Sequence, residues 1–320
     1  MAEQTRTLAT THWNNGADAM TERTTLIVAA AQYPIDQLDS LEAWRHKIAR
    51  WVEEGAETGA ELLVFPEYAA IEQAATFGPD VSSDLEATLK SVADLARERI
   101  AFHQELAAKH GVHILVGSGP AGKGDGQFVN AAQLVTPDGS AGIQEKLIMT
   151  PFERDWGIKP GHPIRVFDTE LGKIGIAICY DSEFPLLGRG MAEAGAEIVL
   201  VPSCTERISG YHRVRTSARA RALENQLVTV LSPTVGDALW SPAVNHNAGA
   251  AGIYVPSEQM LSEDGVLAEG VVNKPQWVTA KIDLAGLRLL RAEGEMRNFA
   301  DWDCQPGASC LSGKVDVVRL

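Results

Sequence analysis

The chain has 320 residues, of which 45% are hydrophobic, which is enough for one large domain or two small ones. Its formal net charge of −14 argues against nucleic acid or an anionic membrane as the main partner. No apolar run approaches the roughly 18–20 residues that span a bilayer, and the N-terminus lacks the apolar core of a signal peptide. The four cysteines have no metal-ligand spacing and are too few for a secreted disulfide scaffold, so we expect a cytoplasmic protein.

Residues 1–24 are polar and have no periodicity, so we expect a flexible leader in this segment. Met20 lies inside it and is an alternative translation start to Met1. Near the other end of the chain, we expect Cys304 and Cys310 to be reduced; a disulfide between them under oxidation is the alternative.

Beyond residue 24, strands and helices alternate. Apolar residues with helical spacing predict a helix over residues 41–56 and a second helical stretch over residues 85–110. Further helices are predicted near residues 187–195 and 211–224. Apolar runs predict strands at residues 25–32, 62–65, 112–116, 175–179, 197–201, 227–231, 252–255 and 277–282, with a strand, a turn and a short second strand from residue 131.

Residues 117–122 match the glycine-rich fingerprint of dinucleotide-binding loops and follow a predicted strand. That fingerprint requires a helix immediately afterwards, so that the pyrophosphate lies at the helix N-terminus. Residues 123–126 would instead break a helix. We therefore predict a hairpin-type loop here and no nucleotide cofactor.

Cys179 ends an apolar run and precedes a predicted helix. Asp181 and Ser182 offer helix-capping side chains, and Pro185 suits the first helical turn. A thiol on such a strand-to-helix turn lies beside free N–H groups and the positive end of a helix. These features lower a thiol pKa and stabilise an oxyanion, so Cys179 is a candidate nucleophile. A small buried core residue is the alternative.

Two charged residues accompany this cysteine. Glu67 follows the strand at residues 62–65, where Pro66 ends the pairing, at the edge of an open α/β sheet where sites collect. Lys146 follows the short strand after residue 139. Taken singly, an ordinary loop carboxylate and a solvated surface lysine remain the alternatives.

Together, these contexts resemble the nitrilase, or carbon–nitrogen hydrolase, superfamily, in which the order along the chain is Glu, Lys, Cys. The resemblance covers roughly residues 26–283. It implies an α/β fold of the four-layer αββα sandwich type, formed by a single domain over residues 25–320 with a C-terminal extension from about residue 284. The matching segments are Phe65-Pro66-Glu67-Tyr68, Asn130-Ala131-Ala132, Glu145-Lys146-Leu147, Cys179-Tyr180-Asp181, Phe184-Pro185 and residues 219–225.

The resemblance also implies roles for these residues. Cys179 would attack the substrate and form a thioester, while Glu67 would act as the general base. Lys146 and the backbone N–H of Tyr180 would stabilise the oxyanion. The implied enzyme needs no metal or other cofactor and assembles into a homodimer or a larger homo-oligomer.

A second glutamate often follows the family's lysine and orients the substrate or the lysine itself. Glu153 is the candidate here, and a structural salt bridge with Arg154 or Arg219 is the alternative. The segment from residue 150 to 157 resembles the branch that is often fused to an acetyltransferase domain. Too few residues precede the first strand for such a domain, so we expect a free-standing member.

Five further residues are candidates for the substrate pocket, with generic packing as the alternative for each: Tyr68, Trp156, Glu183, Phe184 and Thr205. Many family amidases have an arginine between the Cys-Tyr-Asp and Phe-Pro elements, where this chain has Glu183. A small amide is the expected substrate. A nitrile, a carbamoyl compound, or a binding or assembly role with little activity are the alternatives.

Overall fold

The computed structural model describes residues 23–305 and 315–320. The predicted leader, apart from its last two residues, and Cys310 lie outside the described residues. Cys304 is exposed. The predictions about the leader and about the Cys304–Cys310 pair therefore stay predictions.

Strands make up much of the part of the chain that the structure describes. In chain order they are β1 (Thr25–Pro34), β2 (Leu62–Val64), β3 (His113–Gly124), β4 (Gln127–Val135), β5 (Ala141–Glu145), β6 (Ile164–Thr169), β7 (Gly172–Ile176), β8 (Ile198–Ser203), β9 (Val228–Asp237), β10 (His246–Asn247), β11 (Gly252–Tyr254), β12 (Val266–Glu269), β13 (Gln276–Asp283) and β14 (Val315–Arg319).

Helices connect many of these strands. The α-helices are α1 (Leu41–Glu57), α2 (Pro79–Ser82), α3 (Leu85–Asp94), α4 (Ala96–His110), α5 (Pro151–Asp155), α6 (Pro185–Glu193), α7 (Ile208–Asn225) and α8 (Leu284–Glu293). Three 3-10 helices cover Ala69–Phe77, Cys179–Glu183 and Ala300–Cys304. Within residues 23–305 and 315–320, none of the helices combines the length and the apolarity that crossing a membrane requires.

The strands form two sheets that are joined where the carboxyl end of β1 pairs with β9. The first sheet has the order β5-β4-β3-β2-β1-β13, and the second has the order β14-β6-β7-β8-β9-β11-β12. Parallel pairing of Tyr33 with Thr234 and of Pro34 with Val235 joins β1 to β9. The centres of both sheets are parallel, which requires crossover connections, and helices supply most of them.

Successive side chains of β1 point into two different cores, and this alternation shows how the layers stack. Leu26 and Val28 belong to the core that also contains Ile176 of the second sheet. Ala29 and Tyr33 point the other way, into a core shared with residues of α1 and α4. On the side of the second sheet, helix α7 contributes apolar residues to the core that contains Ile176. The result is the predicted α/β fold with four layers, αββα.

Most predicted elements are confirmed within a few residues, one is divided in two, and one is wrong. The stretch over residues 85–110 is two helices, α3 and α4, which are interrupted at Leu95. The glycine-rich segment over residues 117–122 is not a loop but part of β3. The hairpin itself is present, and its turn is Asp125-Gly126, where both residues have positive φ.

Gly117 allows β3 to approach the segment that carries Glu67. Its φ is +84°, and a Cβ at this position would lie 2.3 Å from the carbonyl oxygen of Pro66. The next residue, Ser118, donates its N–H to that same oxygen at 3.1 Å. Its hydroxyl accepts the N–H of Tyr68 at 3.2 Å. The backbone geometry, and not phosphate binding, therefore explains why position 117 is a glycine.

We expect Gly117→Ala to lower the free energy of unfolding by about 1–3 kcal/mol, because the new Cβ meets a backbone oxygen and the backbone is left-handed. Urea denaturation measures the change. Gly122→Ala is the matched control in the same strand, since nothing lies within 4 Å of its Cβ position. Equal stability of the two variants would show that the close approach to Pro66 imposes no constraint.

Candidate active site

The carboxyl ends of parallel strands bring the candidate residues together. Glu67 follows β2, Cys179 follows β7 and Cys204 follows β8. All three line a cleft of about 940 Å³, together with Lys146 and Glu153. The position agrees with the general placement of sites at this edge of α/β sheets.

Cys179 begins a 3-10 helix and has a φ of 49°, a left-handed conformation that a residue with a side chain seldom adopts. The residue is only 5% exposed. Its Sγ receives a hydrogen bond from Ser203 Oγ at 3.4 Å and donates to the carbonyl oxygen of Cys204 at 3.8 Å. The surrounding structure thus holds the thiol in a strained but fixed position.

Lys146 is buried between two carboxylates. Its Nζ lies 2.7 Å from Glu67 Oε1 and 2.7 Å from Glu153 Oε2, and the residue is 1% exposed. The expectation that Glu153 contacts the lysine, and not Arg154 or Arg219, agrees with this geometry. Burial alone would lower the pKa of Lys146, but the two carboxylates outweigh it and hold that pKa well above its ordinary value.

Neutral donors complete the coordination of both carboxylates. Asn130 Nδ2 donates to Glu67 at 3.0 Å and to Glu153 at 3.1 Å, so it bridges them. The backbone N–H of Cys204 donates to Glu67 Oε2 at 2.9 Å. Tyr68 donates its hydroxyl to Glu153 at 2.8 Å. Asn130 is a matching position of the family but has no role predicted from the sequence, because its two contacts depend on the tertiary fold.

The environments of Glu67 and Glu153 push their pKa values in opposite directions. Burial raises the pKa of Glu67, with the charge of Glu153 adding to the effect, and Lys146 offsets only part of it. Burial would also raise the pKa of Glu153, but Lys146 and the hydrogen bonds from Thr150 and Tyr68 lower it below the ordinary value. Glu153 is therefore the more acidic of the two carboxyl groups, and Glu67 is the less acidic one.

Burial raises the pKa of the Cys179 thiol well above its ordinary value, and the nearby carboxylate of Glu67 raises it further. The sequence-based expectation of a lowered thiol pKa is wrong, because burial and Glu67 outweigh the charge of Lys146. The resting thiol is neutral and needs a base to become a nucleophile.

The predicted capping roles of Asp181 and Ser182 are also wrong. Asp181 accepts hydrogen bonds from the N–H groups of Leu147 at 3.2 Å and Ile148 at 2.8 Å, directly after the lysine. Ser182 donates its hydroxyl to the carbonyl oxygen of Cys179 at 2.6 Å. No side chain caps α6, which begins at Pro185 as expected. Asp181 instead ties the segment of the lysine to the helix of the cysteine, and burial raises its pKa to about 7.

Four of the five predicted pocket residues line the cleft: Tyr68, Trp156, Glu183 and Thr205. The rings of Tyr68 and Trp156 meet edge-on, with centroids 6.0 Å apart. Phe184 is absent from the described residues that line the cleft, and its ring packs edge-on against Tyr180 at 4.9 Å between centroids. Phe184 therefore supports Tyr180, which does line the cleft.

Some residues of the cleft have no distinguishing pattern in their local sequence. Cys204, Phe152 and Arg213 line it. His246, for which the sequence leaves a pocket position and a loop position open, also lines the cleft, and its Nδ1 lies 2.9 Å from Asp237 Oδ1. In the part of the chain that the structure describes, no group of three or more His, Cys, Asp and Glu side chains has an arrangement that could hold a metal ion.

Comparison with known proteins shows two relatives that are similar to this chain over most of its length. The probable hydrolase YhcX of Bacillus subtilis (strain 168) is 36% identical over 275 residues, which cover 86% of this chain and 53% of that relative, so the chain spans about half its length. The omega-amidase NIT2-B of Xenopus laevis is 25% identical over 262 residues, covering 79% of this chain and 87% of the relative.

The fold is similar to a solved structure of a carbon–nitrogen hydrolase from Helicobacter pylori G27. The TM-score is 0.69 at 21% identity, and the match covers 84% of this chain and 92% of the other. The family model for carbon–nitrogen hydrolases matches residues 27–292, which is most of the chain. The chain therefore belongs to the carbon–nitrogen hydrolase family.

Proposed function

We propose that this protein hydrolyses the non-peptide C–N bond of a small amide through a thioester on Cys179. The observation that carries the proposal is the buried group of Glu67, Lys146 and Glu153 beside that thiol in an open cleft. The omega-amidase name of the Xenopus relative favours an amide over a nitrile.

Acylation begins with the neutral thiol. As Sγ attacks the carbonyl carbon of the amide, the carboxylate of Glu67 takes the thiol proton. The carbonyl oxygen gains negative charge, which Lys146 Nζ and the backbone N–H of Tyr180 stabilise. That N–H lies in the first turn of a 3-10 helix, where the leading N–H groups lack partners within the helix.

The intermediate then collapses. Glu67 returns its proton to the nitrogen, the C–N bond breaks, and ammonia or an amine leaves while the acyl group stays on Sγ as a thioester. A water molecule enters and gives a proton to Glu67 as its oxygen attacks the thioester carbon. The C–S bond breaks, Glu67 reprotonates the sulfur, and the carboxylic acid departs.

Glu153 is a positioning residue in this scheme, because it acts through Lys146. Its carboxylate keeps the lysine charged and directed to the place where the oxyanion forms. Asn130 fixes the spacing of the two glutamates, since one amide group donates to both. The catalytic residues are thus Glu67, Lys146 and Cys179.

A binding or assembly role without catalysis is less well supported. Burying three charges costs stability unless their geometry is nearly ideal, and a scaffold would gain nothing from the arrangement. Assembly into a homodimer stays a prediction from the family.

We expect Cys179→Ala to lower kcat for a hydrolysed amide by at least about a thousandfold while the circular dichroism spectrum stays unchanged, because no other group replaces the nucleophile. Ammonia release measures the rate. Cys304→Ala is the control: Cys304 is exposed, so this variant should keep its activity and remain sensitive to iodoacetamide. Comparable turnover by Cys179→Ala would contradict a thioester mechanism.

We expect kcat/KM to fall toward acidic pH as Glu67 becomes protonated, because the protonated carboxyl cannot act as the base. The apparent pKa of this acid limb of the pH profile should lie above the ordinary pKa of a glutamate. Glu153→Gln removes a charge that raises this pKa, so we expect the limb to move to lower pH. We also expect kcat to fall by roughly a hundredfold as Lys146 loses its position.

Glu145→Gln is the control for this pH profile. Glu145 precedes Lys146 but pairs with Lys123 at 3.0 Å, outside the buried group. The control should leave the acid limb unmoved. An acid limb that stays in place or rises in Glu153→Gln would show that Glu153 does not act on the base.

A further inference from the structure

Glu183 introduces a negative charge into the wall of the cleft, close to the nucleophile. It ends the same 3-10 helix that Cys179 begins, and it lines the cleft. Its side chain is 18% exposed, so it is partly removed from water even before a substrate enters. A bound substrate would remove more water and make a positive partner necessary.

Within residues 23–305 and 315–320, the partner of this carboxylate is a weak one. Arg213 Nε lies 3.4 Å from Glu183 Oε1, which is longer than the roughly 2.7–2.9 Å of a strong charge-assisted hydrogen bond. The Arg213 side chain is 62% exposed, and exposed pairs of this kind contribute little stability. Arg213 can therefore turn into solvent at low cost when another cation approaches Glu183.

Other features of the cleft also favour a cation. Tyr68, Trp156 and Tyr180 line it, and the faces of aromatic rings attract positive charge. The net charge of −14 attracts cations over longer distances. The second arginine of the rim, Arg207, is 79% exposed and lies 3.8 Å from Glu206, which offsets its charge.

We propose that Glu183 is a specificity-determining residue that binds a protonated amine of the substrate, in exchange for Arg213. The substrate class is then a small amide or carbamoyl compound with an ammonium group. This inference rests on the proposed function for the reaction, but the binding step is independent of turnover.

The test measures binding to the Cys179→Ala variant by calorimetry, so that hydrolysis does not interfere. The probes are two pairs of equal size, β-alaninamide with butyramide and δ-aminovaleramide with caproamide, and the anion glutaramate. We expect at least one aminoamide to bind about tenfold more tightly than its neutral partner, the effect of one hydrogen bond between charged groups.

Adding Glu183→Gln should make the two members of that pair bind equally, whereas adding Glu206→Gln, the matched control on the rim, should leave the preference intact. Adding Arg213→Ala should tighten binding of the aminoamide, because the competing cation is gone. If Glu206→Gln abolished the preference for the aminoamide as well, the preference would come from the overall negative charge of the protein. Tighter binding of glutaramate than of the aminoamides would show that Arg213 selects an anionic substrate. Either result, or the absence of any preference, overturns the proposal.

Turnover by the unmodified protein separates this inference from the proposed function. Hydrolysis of both members of a pair without any difference in binding would leave the proposed function standing and remove the role of Glu183. A binding preference without ammonia release from any probe would support Glu183 and count against amide hydrolysis.

Discussion

The buried charge of Lys146 constrains how three segments of this chain meet. A lysine that is 1% exposed is stable only with partners, and Glu67 and Glu153 both lie 2.7 Å from its Nζ. These residues come from three separate segments: the loop after β2, the end of β5 and helix α5. The segments must converge accurately: Asn130 donates to both glutamates, and Gly117 allows β3 to approach the segment that carries Glu67. Asp181 ties the segment of Lys146 to the helix of Cys179.

The same buried group explains how two similar carboxyl groups, those of Glu67 and Glu153, can have different pKa values. Lys146 lies equally close to both carboxylates, so their pKa values differ because of their other surroundings. Glu153 also accepts hydrogen bonds from Thr150 and Tyr68 and stays charged, whereas the pKa of Glu67 rises. Beside a thiol that burial keeps neutral, a carboxyl that can gain and lose a proton is the group that the proposed reaction needs.

Periodicity predicted most strands, and with them the placement of Glu67 and Cys179 at strand ends, because buried strands have a strong local pattern. Features that depend on tertiary contacts were not predictable. The helix break at Leu95 has no local signal, since leucine favours helices. The backbone N–H of Cys204 donates to Glu67 only because two distant strands meet, and Asp181 resembled a helix cap until its contacts with another segment were known.

Intact-mass spectrometry of Glu67→Gln would show whether Glu67 moves the protons of a thioester cycle on Cys179. This change keeps the shape of the side chain but removes its ability to accept a proton. After incubation with an amide that the unmodified protein hydrolyses, we expect slow formation of an acyl adduct on Cys179 that persists, because the attacking water has no base. Near-normal turnover without an adduct would contradict the account and make Glu153 the next candidate for the base.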